Sequence, residues 1–479
     1  MVRKLEARAQ KMIFIGYDRD YTYKVLDPVS GITTIARDVM FDESRSYYDN
    51  QNEYKELGKL TPRDETFSES EGEELEAENV DLLDVDEPRT FKEAMRSSHS
   101  TQWRDAVDEE LRSLDKNKTW QLVELPTGKR VIESKWVFKL KKKADGSIDR
   151  YKARLVAKGY SQRKGMDYEE TFSPEVRLDS VRIILALSAV RDLEIIHFDV
   201  RTAFLYGTLS EEVYMRAPEG FNSGGKVCKL LKSIHGLKQA SRVWNSCFVS
   251  FLRKFQLEPL TTDSCVLVRR SKEVLIIAIY VDDGLVCCSG VNLLRSTMEY
   301  LQDKFEIAVA EAQCYVGLQL KRDRANRTLT LHQPNYIDQV VKRFGMEEAD
   351  VSSIPMYPNV KLIKNGITDG DISREVDVPY RELIGFLMYL SVGSRPDIAC
   401  AVSILSRFLQ APKLPHWKAA KNVLRYLNAT KNHGLVYRGE ELLVGFSDAD
   451  YASCRDTRKS ITGIVIKLCS APVVLRATK

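Results

Sequence analysis

The sequence predicts an α+β fold, because segments with strand periodicity and segments with helix periodicity occupy separate blocks of the chain. Short strand-like segments fill residues 12–39. Hairpin patterns alternate with helical stripes through the middle of the chain. Helical patterns then dominate residues 335–344 and 380–427, and strand patterns return at 442–446 and 461–468.

Composition limits the possible classes of protein. The chain has 479 residues, 43% of them hydrophobic and 29% charged, which is typical of globular domains. No stretch approaches the roughly 20 apolar residues of a membrane span, and the N-terminus lacks the apolar core of a signal peptide. Nine cysteines without CxxC or zinc-type spacing predict reduced, structural thiols in the cytoplasm or nucleus, with Cys287 and Cys288 in a buried strand.

The net charge of +4 is unevenly distributed. Residues 64–87 hold 12 acidic side chains and no Lys or Arg, so the rest of the chain is more basic than the total suggests. A basic body suits a polyanionic partner, although a solvated positive face has the same composition. Residues 46–87 predict a disordered acidic linker, with mimicry of nucleic acid as the alternative.

The elements follow from periodicity and turn chemistry. Residues 1–45 predict a small β-barrel or meander, because three short strand patterns are separated by turns. A lysine-rich hairpin is predicted with its turn at 144–147. Its lysines could contact nucleic-acid phosphates, or the hairpin could simply be a solvent-exposed edge of a sheet. The other predicted elements are helices at 103–114, 178–190 and 240–255, strands at 131–140, 151–157 and 194–199, and a strand–turn–strand at 274–288.

Three carboxylates carry the chemistry. Asp282 and Asp283 lie at the tip of an apolar hairpin, where two adjacent negative charges are costly unless a cation binds. An ordinary Asp-Asp-Gly turn is the alternative. Asp199 ends another apolar strand upstream, and two helices would fit between Asp199 and Asp282. A sheet could place the ends of these two strands side by side. Three carboxylates could then hold two Mg²⁺ ions about 4 Å apart for phosphoryl transfer.

Several motifs occur in the order found in one known family. The chain resembles the reverse transcriptase region of copia-type LTR retrotransposon Pol polyproteins, and residues 280–283 (YVDD) resemble the YxDD box of reverse transcriptases. The other matching motifs are KWVFK at 135–139, YKARLVAKG at 151–159, DYEETFSP at 167–174, DVRTAFL at 199–205, EVYM at 212–215, GLKQA at 236–240 and SRPDIA at 394–399.

The resemblance implies a right-hand polymerase with fingers, palm and thumb, acting as an RNA-directed DNA polymerase. It implies that Asp199, Asp282 and Asp283, with the Val200 carbonyl, bind two Mg²⁺ ions, Mn²⁺ being the alternative. It also implies an aromatic sugar gate at Phe204, for which a core aromatic is the alternative. Nucleotide contacts are implied at Gln239 and at Lys152 and Arg154, which could instead be solvated strand residues.

Two positions depart from the family pattern near the catalytic motifs. Ser241 stands where proline is usual, and His235 where tyrosine is usual. Neither residue type is needed to supply a metal-binding oxygen. We therefore expect these departures to leave the chemistry of the site in place.

The two ends resemble other parts of these polyproteins. Residues 1–45 resemble the SH3-like module that follows the integrase core, which is absent. GFSDAD at 445–450 resembles the start of an RNase H domain, with Asp448 as its first metal ligand. The expected domains are 1–45 SH3-like, 46–87 linker, 88–345 fingers and palm, 346–435 thumb and connection, and 436–479 a truncated RNase H start without RNase H activity.

The resemblance implies a primed RNA or DNA template and dNTPs as partners, with self-association or other Pol products as further partners, and no membrane. It implies a location in cytoplasmic virus-like particles and in the nucleus. Two other functions remain open: a degenerate or domesticated transposon fragment that only binds nucleic acid, and a palm polymerase that copies only DNA. Intact Asp199, Asp282 and Asp283 favour the reverse transcriptase.

Overall fold

A computed structural model describes residues 13–19, 22–26, 33–36, 87–142, 148–357, 362–364, 366–367, 376–451, 454 and 456–478. The chain divides into two compact units, Met1–Val80 and Asp81–Lys479. In the first unit, β1 (Ile13–Arg19), β2 (Thr22–Leu26) and β3 (Thr33–Ala36) form an antiparallel meander with β2 in the centre. The predicted three-stranded pattern is confirmed, whereas the predicted acidic linker lies outside the described residues except for Glu87.

The second unit begins with two helices and a long hairpin. Trp103, Ala106, Val107 and Leu114 form the buried stripe of the second helix, as its periodicity predicts. Trp103 packs edge-on against Tyr151 of the hairpin, with ring centroids 4.7 Å apart. The elements are α1 (Phe91–Arg96), α2 (Ser100–Lys116), β4 (Trp120–Val123), β5 (Val131–Ile132), β6 (Ser134–Lys142) and β7 (Ile148–Ala157). The hairpin turn predicted at 144–147 lies outside the described residues.

A six-stranded antiparallel sheet forms the centre of the second unit, in the order β11-β12-β13-β14-β8-β15. Its members and the neighbouring elements are α3 (Leu178–Val190), β8 (Glu194–Val200), β9 (Thr208–Met215), β10 (Val227–Lys232), α4 (Ala240–Arg253), β11 (Glu258–Pro259), β12 (Val266–Arg270), β13 (Val274–Tyr280), β14 (Asp283–Cys288), α5 (Val291–Lys304) and β15 (Ile307–Glu311).

The connection between β8 and β13 corrects one expectation. Room for two helices was expected there, but the segment holds one α-helix, α4, a 3-10 turn at Ala203–Tyr206, and the strands β9 to β12. Strands β9 and β10 leave the central sheet and pair with β4 and β5 in a separate four-stranded sheet. The alternating apolar pattern of these strands is short, which is why periodicity alone did not reveal them.

Four of the remaining helices build a second core, whereas most of the remaining strands contribute to the core around the central sheet. Helices α6, α7, α8 and α9 bury their apolar faces against one another, separately from the core around the central sheet. The elements are β16 (Cys314–Tyr315), β17 (Leu318–Asp323), β18 (Thr328–His332), α6 (Pro334–Arg343), β19 (Leu362–Ile363), β20 (Gly366–Ile367), α7 (Tyr380–Gly393), α8 (Ala399–Leu405), α9 (Leu414–Ala429), β21 (Leu435–Tyr437), β22 (Leu443–Ala449), β23 (Thr462–Leu468) and β24 (Ala471–Thr478).

Strand pairing divides the C-terminal strands between two sheets. β21 joins β16, β17 and β18, whereas β22, β23 and β24 form an antiparallel meander. Among the residues that the structure describes, no helix is long and apolar enough to cross a membrane.

Candidate active site

The register of two adjacent strands brings the predicted carboxylates together. β8 and β14 are antiparallel neighbours, and Asp199 pairs directly with Asp283. Directly paired residues project from the same face of a sheet, so the two carboxylates share one surface. The Val200 amide donates a hydrogen bond to the carbonyl of Asp282, 2.9 Å away, which fixes the turn beside the end of β8.

The hairpin that carries Asp282 turns one residue earlier than predicted. Tyr280 pairs with Asp283, so the two turn residues are Val281 and Asp282, and Asp283 begins the next strand. Asp283 and Gly284 therefore belong to β14, and residues 282–284 do not form an Asp-Asp-Gly turn. Val281 has a φ of 53°, which is unfavourable for a β-branched residue and marks stored strain. The Trp244 indole of α4 donates to the Val281 carbonyl at 2.6 Å and supports this turn.

Gly284 allows the two strands to pair beneath the site. It lies opposite Phe198, and a Cβ placed on Gly284 would be 2.0 Å from the Phe198 ring. The Phe198 ring is fully buried and cannot move aside easily. Glycine at this position therefore leaves room for the Phe198 ring on the face of the sheet opposite the carboxylates.

The carboxylates repel one another in partly buried surroundings. Burial, followed by the charges of Asp283 and Asp199, raises the pKa of Asp282 to about 6. Burial and the Asp283 charge also raise the pKa of Asp199, against the opposing influence of Lys152 and of other nearby cationic groups. Such mutually destabilised carboxylates are typical of sites that bind a cation or exchange a proton.

Two cations of β7 lie near these carboxylates. Burial and the neighbouring Arg154 charge lower the pKa of Lys152, while the Asp199 charge opposes that effect. Arg154 in turn lowers the pKa of Asp282. Lys152 and Arg154 are both half-buried and alternate with the buried Ala153 on the strand. The structure therefore places both predicted cations within electrostatic reach of the carboxylates.

Phe204 lies in the 3-10 turn immediately after β8 and is 6% exposed. The His235 ring packs edge-on against it, with centroids 4.8 Å apart. The Ser233 hydroxyl donates to the Phe204 carbonyl at 2.5 Å. Burial, with the charges of Arg154 and Lys152, lowers the pKa of His235 to about 3, so this ring is neutral at physiological pH. The segment around residues 233–235 thus supports the aromatic ring predicted to select the sugar.

Gln239, predicted to contact the nucleotide, is buried and hydrogen-bonded within the protein. Its side chain is 1% exposed and donates to the Asp167 carbonyl at 2.9 Å. Its amide oxygen accepts a hydrogen bond from Gln162 at 3.1 Å. Both ends of the Gln239 amide are therefore engaged within the protein, and a nucleotide contact through this residue stays a prediction.

The donor set has the chemistry that a divalent cation requires, because three carboxylates raise the cost of each other's charge. Asp283 Oδ1 lies 3.1 Å from His197 Nε2. Across the described parts of the chain, no group of three or more His, Cys, Asp or Glu side chains is close enough to hold a metal ion as it stands. The backbone thus brings the three positions together, while the side chains do not yet converge.

Comparison with known proteins adds to this geometry. A family model described as "Reverse transcriptase (RNA-dependent DNA polymerase)" matches residues 117–358, and one described as "Retroviral polymerase SH3-like domain" matches residues 2–55. The chain belongs to the reverse transcriptase family.

Similar full-length proteins are transposon polyproteins. The Retrovirus-related Pol polyprotein from transposon TNT 1-94 of Nicotiana tabacum is 38% identical over 96% of this chain and 40% of its own length. The corresponding polyprotein from transposon RE1 of Arabidopsis thaliana is 38% identical over 82% of this chain and 27% of its own. The Transposon Ty1-DR6 Gag-Pol polyprotein of Saccharomyces cerevisiae is 24% identical over 78% of this chain and 22% of its own length. The chain spans less than half the length of these relatives, and the resemblance to copia-type Pol polyproteins is confirmed.

Asp448, the predicted RNase H metal ligand, lies on a different sheet from Asp199 and Asp283. Asp448 is exposed on β22, in the C-terminal meander, and its Oδ1 accepts a hydrogen bond from the Ala449 amide at 2.9 Å. Asp199 and Asp283 belong to the central sheet instead. A role for Asp448 as a metal ligand of an RNase H domain remains a prediction.

Sequence reasoning missed two residues that contact the candidate site, His197 and Trp244. His197 precedes Asp199 by two positions on a strand, so alternation alone places both on one face. That signal was available in the sequence. Trp244 could not be found in this way, because its contact with Val281 joins a helix to a distant turn.

Proposed function

We propose that this chain is an RNA-directed DNA polymerase that adds dNTPs to a primer 3′-hydroxyl on an RNA or DNA template. The observation that carries the proposal is the direct pairing of Asp199 with Asp283, beside a turn that presents Asp282. Membership of the reverse transcriptase family supports the same activity. A surface where Asp199 pairs with Asp283 beside Asp282, next to a basic hairpin, suits a polyanionic substrate that brings its own cations.

The chemistry depends on divalent cations that Asp199, Asp282 and Asp283 would hold, with the Val200 carbonyl as a further oxygen. When bound, two Mg²⁺ ions, or Mn²⁺ in their place, would activate the primer hydroxyl and stabilise the leaving pyrophosphate. The raised pKa values of Asp282 and Asp199 favour this role, because these carboxylates are destabilised as anions until a cation approaches.

The protein's own side chains would position the substrate. Lys152 and Arg154 act on the carboxylates electrostatically and would neutralise the charge of a bound triphosphate. Phe204 would reject ribonucleotides, because its ring would clash with a 2′-oxygen. His235 packs against that ring, and Ser233 binds the Phe204 carbonyl.

In this proposal, the central sheet is the palm, the hairpin β6–β7 belongs to the fingers, and helices α6 to α9 form the thumb and connection. The C-terminal meander β22–β24 would correspond to the start of an RNase H domain. Primed template, other Pol products or a second copy of the chain would be partners. A virus-like particle in the cytoplasm, and later the nucleus, would be the places of action.

The first test is incorporation of dTTP on poly(rA) primed with oligo(dT), with and without Mg²⁺. Asp282→Asn serves as the matched variant, because it keeps the size of the side chain but removes the charge. We expect Mg²⁺-dependent synthesis that disappears in the variant, since lost transition-state stabilisation costs on the order of several kcal/mol. Near-normal turnover by the variant would refute the metal assignment.

If the folded wild-type chain synthesises no DNA, the alternative is favoured, which is a transposon fragment that only binds nucleic acid. Salt-dependent binding of primed poly(rA) without synthesis would support that alternative. Synthesis on poly(dA) but not on poly(rA) would instead indicate a polymerase that copies only DNA.

Sugar selection tests the second part of the proposal. We expect Phe204→Ala to increase UTP incorporation relative to dTTP by about 10-fold or more, because the ring no longer excludes the 2′-oxygen. Phe204→Tyr is the control and should keep the discrimination, since the ring remains. The assignment of Phe204 as the sugar gate is wrong if the ratio of UTP to dTTP incorporation is unchanged in Phe204→Ala.

A further inference from the structure

His197 contacts one of the proposed metal ligands directly. Its Nε2 lies 3.1 Å from Asp283 Oδ1, with the side chains of His197 and Asp283 21% and 38% exposed. An ionised carboxylate only accepts hydrogen bonds, so His197 Nε2 carries the proton of this contact. The bond is therefore a donation from the imidazole to Asp283.

Strand register explains why these two side chains meet. On β14, Asp283 pairs with Asp199 of β8, and Leu285 pairs with His197. His197 and Asp283 are thus diagonal neighbours on one face of the sheet, within reach of a long side chain. The Asp283 carboxylate lies between Asp199, which repels it, and His197, which binds it.

The imidazole is itself held in place. Its ring packs edge-on against Tyr315 of β16, with centroids 6.2 Å apart. Tyr315 is 1% exposed, and its hydroxyl donates to the Ala278 carbonyl at 3.2 Å. A buried ring that is anchored to the central sheet therefore limits how far His197 can rotate.

We propose that His197 is a positioning residue that fixes the Asp283 carboxylate through Oδ1 and leaves its second oxygen for a divalent cation. The inference rests on the proposed function and adds a residue to it. Hydrogen bonds from outside the coordination sphere orient ligating carboxylates, and their loss typically lowers metal affinity by about 10–100-fold. His197 does not contact the substrate in this role.

The test measures binding of Mn²⁺ to the full chain by electron paramagnetic resonance, without primer or nucleotide. His197→Phe keeps a ring beside Tyr315 but removes the donor, whereas His197→Gln keeps a donor without the imidazole. We expect His197→Phe to weaken Mn²⁺ binding by about 10-fold or more, and His197→Gln to restore most of it. Thermal unfolding checks that each variant is folded, and His197→Leu replaces His197→Phe if the latter is not.

Polymerisation provides a second readout. We expect the half-saturating Mg²⁺ concentration to rise in His197→Phe, while kcat at saturating Mg²⁺ changes less. Rescue by His197→Gln distinguishes a lost hydrogen bond from a general loss of structure.

Two outcomes overturn the inference. Wild-type affinity or tighter Mn²⁺ binding in His197→Phe would mean that His197 does not orient a metal ligand, or holds it away from the metal. Binding in His197→Gln as weak as in His197→Phe would mean that the donor is not what matters. A wild-type chain that binds Mn²⁺ normally but does not polymerise would refute the proposed function and leave the role of His197 standing.

Discussion

Asp282 shows how a single residue combines function with a cost in stability. Its pKa of about 6 exceeds the ordinary aspartate value of 3.8, because burial and two neighbouring carboxylates oppose its charge. The folded state therefore binds a proton more tightly than the unfolded state, and stability falls as pH rises from about 4 to 6. Above that range the charged carboxylate remains a destabilising group until a cation binds.

We predict that Asp282→Asn unfolds at a higher temperature than the wild type at pH 7.5 without divalent metal. The expected gain is about 1–2 kcal/mol, after allowance for partial exposure of the carboxylate. Calorimetry at pH 7.5 and at pH 4 measures it. The gain should disappear at pH 4, where wild-type Asp282 is protonated; an equal gain at both pH values would exclude an electrostatic origin. Addition of Mg²⁺ should stabilise the wild type and not the variant.

At the scale of elements, the active-site hairpin depends on a helix outside it. The turn between β13 and β14 holds Val281 at a positive φ, and the Trp244 indole of α4 donates to its carbonyl. Trp244 is 1% exposed and packs against Phe305 with ring centroids 5.3 Å apart. The strained turn is therefore held by an element that makes no contact with metal or nucleotide in the proposed mechanism.

We predict that Trp244→Phe lowers kcat by about 10-fold or more and destabilises the fold by about 1–3 kcal/mol, because the Val281 carbonyl loses its partner. Trp120→Phe is the matched control, since Trp120 lies on β4 and packs edge-on against Phe221, 6.0 Å away. Steady-state kinetics and thermal unfolding of both variants provide the measurement. Equal kcat values for the two variants would contradict a specific role in the turn.

At the scale of the whole second unit, Arg182 joins three parts of the chain. Its side chain is 3% exposed, and it donates from α3 to the carbonyls of Val392 at 2.5 Å and Val473 at 3.0 Å. Val392 belongs to α7 of the helical core, and Val473 to β24 of the C-terminal meander. Arg182 also pairs with Asp179, which in turn pairs with Arg476 at 2.6 Å.

We predict that Arg182→Met lowers the free energy of unfolding by about 3 kcal/mol, because it leaves buried carbonyls without their donor and removes one of the two arginines that pair with Asp179. Arg191→Met is the control, since Arg191 follows the same helix but forms a surface pair with Glu441 and should change stability by about 0–1 kcal/mol. Urea unfolding of both variants provides the comparison. A small and similar loss of unfolding free energy in both variants would show that Arg182 does not stabilise the packing of α3 against α7 and β24.

The sequence by itself predicted the local elements with strong periodicity. Helix α3 was predicted at 178–190 and is found there, and the burial of Cys287 and Cys288 within a strand is confirmed. Apolar residues that repeat at helical or strand spacing mark the buried face of an element, so they predict that element from local sequence alone. The motif order also predicted the copia-type family, which the comparisons confirm.

Only the tertiary structure decided how distant residues meet. Asp199 pairs with Asp283 because β8 and β14 are neighbours in the sheet, although five strands and an α-helix separate them in sequence. The turn at Val281 and Asp282, the support from Trp244, and the contact of His197 with Asp283 all depend on that register. Periodicity encodes which face of an element is buried, but not which element covers it, because that choice is made by long-range packing.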